Sequence, residues 1–214
     1  MGNKYCIIGI CGATRSGKTT LAKNIINYLK SDEKHLIHLD DYFSLELLYY
    51  NKNNWEIPEV IEWRYLIEDV ENDKYKIKYN NKKYTIIEGF LLFKEPLFYN
   101  FHKSIFIWVS KEEAKKRRME TKPVTEEYFE TLVWPNYIKN NYHLAKMKRN
   151  KEKKLGGDIL VLDSTKETIE EMTKKVINFI FNKKDIKRDL IKEQELLNDI
   201  ERQYNELEKK IIYV

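Results

Sequence analysis

Gly12-Ala13-Thr14-Arg15-Ser16-Gly17-Lys18-Thr19 spells G-x-x-x-x-G-K-T, a complete phosphate-binding loop. Upstream, Tyr5-Cys6-Ile7-Ile8-Gly9-Ile10-Cys11 is a short apolar run that fits a buried strand; downstream, Thr20 to Leu29 carries apolar residues at helical spacing. Strand, glycine turn and helix N-terminus aim successive backbone N–H groups at one spot, where an anion can be held. Residues Gly12 to Thr19, with Thr20 behind them, are therefore expected to bind a nucleoside triphosphate. Lys18 would reach its β- and γ-phosphates and Thr19 would ligate Mg²⁺ through its hydroxyl.

A chain of 214 residues suits one α/β core with a small appendage. Hydrophobic content of 42% with 13% aromatic excludes a disordered chain, and a charged fraction of 34% implies a heavily solvated surface. The net charge of +5 is spread over Lys-rich stretches, with its sharpest cluster at Lys115-Lys116-Arg117-Arg118 on an expected helix. Phosphate binding within an enzyme fits that cluster better than a nucleic-acid patch does. Cys6 and Cys11 lack a second Cys or His pair at metal-ligand spacing and read as reduced, buried thiols of a cytosolic protein. His35, His38, His102 and His143 form no H-E-x-x-H array and read as solvated or edge-of-strand residues. The phosphate-loop strand starts almost at Met1, and no apolar run approaches ~18 residues, so the expectation is a cytoplasmic chain without signal, membrane span or nucleic-acid partner.

A second strand, within His35 to Phe43, ends in Asp40 and Asp41. In an open parallel sheet the ligand crevice lies at the carboxyl ends of the strands, which brings Asp40 beside the phosphate loop. A carboxylate there can take the proton of an attacking hydroxyl, so Asp40 is the expected base, whereas Asp41 suits a helix cap. Tyr84 to Ile87 form a third apolar run, and Glu88 stands at its end, where a carboxylate can hold Mg²⁺; Gly89 would let the backbone approach closely. Ser104 to Val109 and Asp158 to Asp163 supply two more strands. Alternation with helical segments predicts a five-stranded parallel sheet flanked by helices.

These stretches, together with Lys115 to Arg118 and Tyr128-Phe129 through Val133-Trp134-Pro135-Asn136-Tyr137, resemble the nicotinamide riboside kinases, within the wider uridine kinase and phosphoribulokinase group of P-loop kinases. The matching segments cover most of residues 4 to 180 in the family's order. The resemblance implies ATP-dependent phosphorylation of the ribose 5′-hydroxyl of nicotinamide riboside, giving nicotinamide mononucleotide for NAD synthesis. It implies Asp40 and Lys18 as catalytic residues, Glu88 and Thr19 at the metal, and Trp55, Glu56 and Arg118 with Asp40 around the riboside. Arg117 and Lys122 would reach the phosphates from a mobile lid at about 115–127.

The residues support part of this unaided. The nicotinamide ring of the riboside is a cation, and an indole face is the best natural partner for one, so Trp55 suits it better than a neutral pyrimidine; a surface or core aromatic is the alternative. Glu56 can accept from two adjacent hydroxyls, one methylene further out than the family's aspartate. The family's second aromatic wall has no clear counterpart in the shortened stretch from Arg118 to Tyr128.

From Ile186 on, Leu190, Leu197, Tyr204 and Ile211 recur every seven residues, with Ile186, Ile200 and Leu207 between them and Glu193 as a polar intruder. Such spacing predicts a helical extension over 182–214 behind a kinase domain at 1–181. It serves equally a coiled-coil homodimer and a helix folded back on its own domain. Three functions stay open at this point. A nucleoside kinase acts on nicotinamide riboside or on uridine or cytidine. A GTPase is prompted by Asn182-Lys183-Lys184-Asp185 but lacks a D-x-x-G. A non-catalytic ATP-binding scaffold has no use for Asp40 and Glu88.

Overall fold

The structure, a computed structural model, describes residues 5–94, 100–121, 124–145, 158–181 and 188–212. Its strands are β1 (Tyr5–Gly12), β2 (Leu36–His38), β3 (Ile77–Tyr79), β4 (Lys82–Glu88), β5 (Lys103–Trp108) and β6 (Asp158–Asp163). Five of them run parallel in the order β2-β4-β1-β5-β6, the expected sheet. β1 lies at the centre because it can be buried on both faces: every residue from Ile7 to Gly12 is buried. A sixth strand, not foreseen, is β3, antiparallel to the start of β4. Asn80 and Asn81 connect the pair, with φ of 46° and 60°. A two-residue hairpin turn requires that left-handed conformation at both positions, and asparagine tolerates it better than most residues.

Crossover connections put helices on both faces. α1 (Lys18–Tyr28) and the helix Ile169–Ile180 pack on one face through Leu21, Ile25, Val176 and Ile180, meeting Ile8, Ile10, Ile86 and Ile105. α2 (Leu45–Tyr50), α3 (Trp63–Glu71), α4 (Lys111–Thr121), α5 (Glu126–Tyr128) and α6 (Trp134–Asn141) follow in order; taking Ile169–Ile180 as α7, the last helix is α8 (Leu190–Ile212). Leu66 of α3 and Ile138 of α6 bury against Ile7, Ile37, Ile87 and Phe106 on the opposite face. Alternation along each strand thus feeds two apolar layers, and each fully buried Ile or Leu contributes about 1.5–3 kcal/mol. Between α5 and α6 the chain takes a π-helical turn at Phe129–Val133. Pro135 has no N–H to donate, so the regular ladder cannot run through it unbroken.

α8 folds back over α6 and β6. Leu197 and Ile200 are fully buried, Tyr204 stacks on Tyr142 with ring centroids 3.9 Å apart, and Trp134 Nε1 donates to Gln203 Oε1 at 2.7 Å. Of the heptad face, Leu197 and Ile200 are thus covered by the chain's own domain, whereas Leu190 remains 58% exposed. Glu193 has a defined place there: it pairs with Arg188 at 2.8 Å and accepts from the Val161 N–H at 3.2 Å, while Arg188 donates to the Ile159 carbonyl. β6 is an edge strand, and these two side chains satisfy backbone groups that a seventh strand would otherwise take. Among the described residues no helix is long and apolar enough to cross a membrane. Lys122 and the Asn182-Lys183-Lys184-Asp185 tetrapeptide lie outside the described residues.

Candidate active site

The carboxyl ends of β1, β2 and β4 open on one side of the sheet, where the crevice of such folds lies. From β1 the chain enters the phosphate loop, whose tight path needs residues free of steric penalty. Gly17 has φ of 95°, and a Cβ on Gly12 would sit 2.4 Å from the Ile107 carbonyl oxygen. Lys18 Nζ donates to the Ala13 carbonyl at 2.8 Å, so the lysine lies folded along the loop. Gly12, Ala13 and Ser16 are buried beneath the loop, whereas Thr14, Arg15, Gly17, Lys18, Thr19 and Thr20 line the cleft above it.

β4 delivers Glu88 to the same point. Its Oε1 accepts from Thr19 Oγ1 at 2.9 Å and from His38 Nδ1 at 2.8 Å. Burial acts to raise the Glu88 pKa, but the His38 hydrogen bond, the charge of Lys18 and the Thr19 hydroxyl outweigh it, and the carboxyl is held below its ordinary value. The same hydrogen bond raises His38 above the usual histidine value against the opposing effect of burial. His38 does stand at the end of an edge strand, one of the two places the sequence suggested, but it is half-buried and bonded to Glu88. It sits directly across from Glu88 in the β2–β4 register, which no local motif reveals.

Two residues beyond β2, Asp40 occupies a 3₁₀ turn at Leu39–Tyr42 and faces the open cleft. The protein around the cleft removes water from one side of its carboxyl and raises its pKa; Lys18 opposes the shift and Glu88 adds to it. Gly89 explains how this turn seats so close: a Cβ there would lie 2.3 Å from Leu39 Cβ. Its small size makes room for the neighbouring turn that carries Asp40. The cap expected of Asp41 comes instead from Ser44, whose hydroxyl accepts from the Leu47 N–H at 3.3 Å.

The cleft, about 650 Å³, continues away from the phosphate loop to Trp55, Glu56 and Arg118. Trp55 is 43% exposed and meets the edge of Phe43 at 5.1 Å between centroids; Phe43 in turn stacks on Phe90. Tyr128 lines the cleft as well, an aromatic that the sequence reading had not placed there. Its signal was present but ambiguous: Tyr128 adjoins a run in which Phe129 and Val133 are core, and spacing alone does not separate the cleft-facing ring from them. Glu56 is pushed up to about 7 by burial, which the Arg118 charge only partly offsets. Arg118 lines the cleft beside Glu56, and its Nε is buried with no hydrogen-bond partner among the described residues.

α4 supplies Arg117, whose guanidinium donates to the Ser164 carbonyl at 2.8 Å and to Glu113 at 2.7 Å while its Nη1 comes within 3.5 Å of the Arg15 carbonyl. It therefore ties α4 to the phosphate loop and to the turn after β6. Lys115 is drawn the other way, to Glu126 and Glu130. Among the described residues no group of three or more His, Cys, Asp or Glu could hold a metal ion.

Similar proteins carry names that bear on this arrangement. Nicotinamide riboside kinase 1 of Homo sapiens is 31% identical over 181 residues, 76% of this chain and 86% of the human protein. The protein of the same name from Rattus norvegicus is 32% identical over 181 residues, 76% of this chain and 88% of its own length. Nicotinamide riboside kinase 2 of Homo sapiens is 26% identical over 197 residues, 82% and 81% of the two chains. Among solved structures, a gluconokinase from Sinorhizobium meliloti 1021 superposes with a TM-score of 0.51 at 11% identity, covering 85% of this chain and 99% of that one, a likeness of fold alone. No family model matches the chain.

Proposed function

The chain belongs to the nicotinamide riboside kinase family, and from that premise we propose that it transfers the γ-phosphoryl group of ATP to the ribose 5′-hydroxyl of nicotinamide riboside, giving nicotinamide mononucleotide and ADP. The observation that carries the reading is one continuous cleft with Lys18, Thr19, Glu88 and Asp40 at one end and Trp55, Glu56, Arg118 and Tyr128 at the other. A phosphate end and an aromatic, hydroxyl-binding end in a single cleft place donor and acceptor in reach of each other.

In this reading Asp40 accepts the 5′-hydroxyl proton as the hydroxyl oxygen bonds to the γ-phosphorus, and the bond to the β,γ-bridging oxygen breaks to release ADP. Its raised pKa makes it a better proton acceptor than an ordinary aspartate. Lys18 leaves the Ala13 carbonyl and neutralises charge on the β- and γ-phosphate oxygens, with the backbone N–H groups of Gly12 to Thr19 around them. Mg²⁺ fits the donor set: Thr19 offers a hydroxyl and Glu88 an ionised carboxylate, hard oxygen ligands for an ion that otherwise binds phosphates and water instead of an all-protein cage. Bound there, it would supply charge neutralisation at the phosphates. Trp55 and Tyr128 hold the cationic base by their ring faces. Glu56 and Arg118, side by side in the cleft, take the ribose hydroxyls.

An ADP-release assay over a panel of nucleosides tests the reading. Turnover is expected with nicotinamide riboside at kcat/KM well above that for uridine or cytidine; turnover with uridine alone would reverse the substrate assignment, and no turnover with any nucleoside would remove the kinase assignment.

Glu56 adds a pH signature. The ionised carboxylate accepts two hydroxyl hydrogen bonds and the protonated form one, so riboside binding favours the ionised state. Because Glu56 is held up to about 7 in the free protein, the KM for riboside is expected to fall as pH rises through about 7 and then level off. Glu56→Gln should give a higher KM that no longer changes across that window, read from initial rates between pH 6 and pH 8.5.

A further inference from the structure

Glu88 is held by two donors on the same oxygen. Oε1 takes the Thr19 hydroxyl and His38 Nδ1, whereas Oε2 takes no hydrogen bond among the described residues and belongs to a side chain lining the cleft. The origin of the second contact is topological. β2 and β4 are parallel neighbours, and their register sets His38 against Glu88, Ile37 against Ile87 and Leu36 against Ile86. His38 is the last residue of β2, so the sheet fixes its backbone opposite Glu88 and leaves only its two side-chain torsions, which the 2.8 Å hydrogen bond to Oε1 holds. A glutamate has three side-chain torsions, and a carboxylate with only Thr19 for a partner would be free to follow that hydroxyl. With an imidazole N–H on the same oxygen it has one orientation.

We propose that His38 is a positioning residue that fixes Glu88 by occupying Oε1, so that Oε2 is presented to the divalent cation accompanying the nucleotide. The inference rests on the reading of Glu88 as a metal-holding residue. An outer residue that orients a ligand in this way changes metal affinity about 10- to 100-fold when removed. His38 touches neither nucleotide nor riboside in this role, and its effect is confined to the metal-dependent part of nucleotide binding.

The test is calorimetric and needs no turnover. ADP is titrated into the full-length chain, once with Mg²⁺ and once with excess EDTA, and the ratio of the two Kd values is the Mg²⁺ benefit. Three proteins are compared: wild type, His38→Leu, which keeps bulk without a donor, and His38→Asn, which keeps an N–H donor. The expected result is a Mg²⁺ benefit lowered about 10-fold in His38→Leu, largely kept in His38→Asn, and a metal-free Kd for ADP within about two-fold of wild type in both. An unchanged benefit in His38→Leu, an equal loss in His38→Asn, or a metal-free affinity that falls by the same factor each overturns the role of His38. A wild-type chain with no Mg²⁺ benefit at all overturns the metal reading of Glu88 itself, and His38 with it, which separates the two failures.

Discussion

Asp40→Asn is expected to lower kcat about 10²- to 10⁴-fold while leaving the KM values for ATP and riboside within a few-fold of wild type. The carboxamide keeps the size of the side chain and a hydrogen bond to the hydroxyl but cannot take its proton. The neighbours of Asp40 make the substitution informative: Lys18 lowers its pKa and Glu88 raises it, so removing one charge also shifts the balance between those two groups. Glu88 is already held ionised by His38, Lys18 and Thr19, so it remains a carboxylate in the variant. Steady-state kinetics beside a thermal melt checks the prediction. A kcat within about three-fold of wild type, with the fold intact, would show that the proton leaves by another route.

Glu193→Ala is expected to cost about 3–5 kcal/mol of stability, measured by urea denaturation. Removing one member of a buried ion pair is strongly destabilising, and here Arg188 would lose the Glu193 carboxylate while keeping its carbonyl partner on Ile159. The Val161 N–H on the sheet edge loses its acceptor in the same step. Replacing both members by apolar residues, Arg188→Met with Glu193→Leu, removes the second buried charge as well but still leaves the two backbone groups of β6 unmet. The double variant should therefore recover part of the loss and stop about 1–3 kcal/mol short of wild type. A loss under about 1 kcal/mol in the single variant would mean that water reaches the pair and replaces the missing carboxylate.

How much of this was legible depended on whether the signal was local. The phosphate loop after β1, Asp40 just past β2 and Glu88 at the end of β4 each follow from an apolar strand leading into the right residue type, and the structure brings all three to one cleft. β3 escaped because three residues give no periodicity, although Asn80-Asn81 is a usable hairpin sign once both φ values are known to be positive. His38 escaped for another reason: its meaning lies in the register between two strands far apart in sequence. Tyr128 sits beside core residues in a π-helical turn, where the 3.6-residue period that would sort cleft from core fails. In α8 the heptad positions announced an apolar face and nothing about what would meet it. The intruding Glu193 was the better clue, since a charge in an apolar seam needs a buried partner, and it found one on the edge of its own sheet.

The closing of that edge has a consequence for how the molecule is made. β6 leaves the ribosome before Arg188 and Glu193 do, so for an interval of synthesis the sheet has its last strand but not the side chains that occupy its outer hydrogen-bonding row. During that interval the strand is a template for any extended segment nearby, including a nascent copy of the same chain on the same message. The exposure ends when the final helix brings Arg188 and Glu193 to that row.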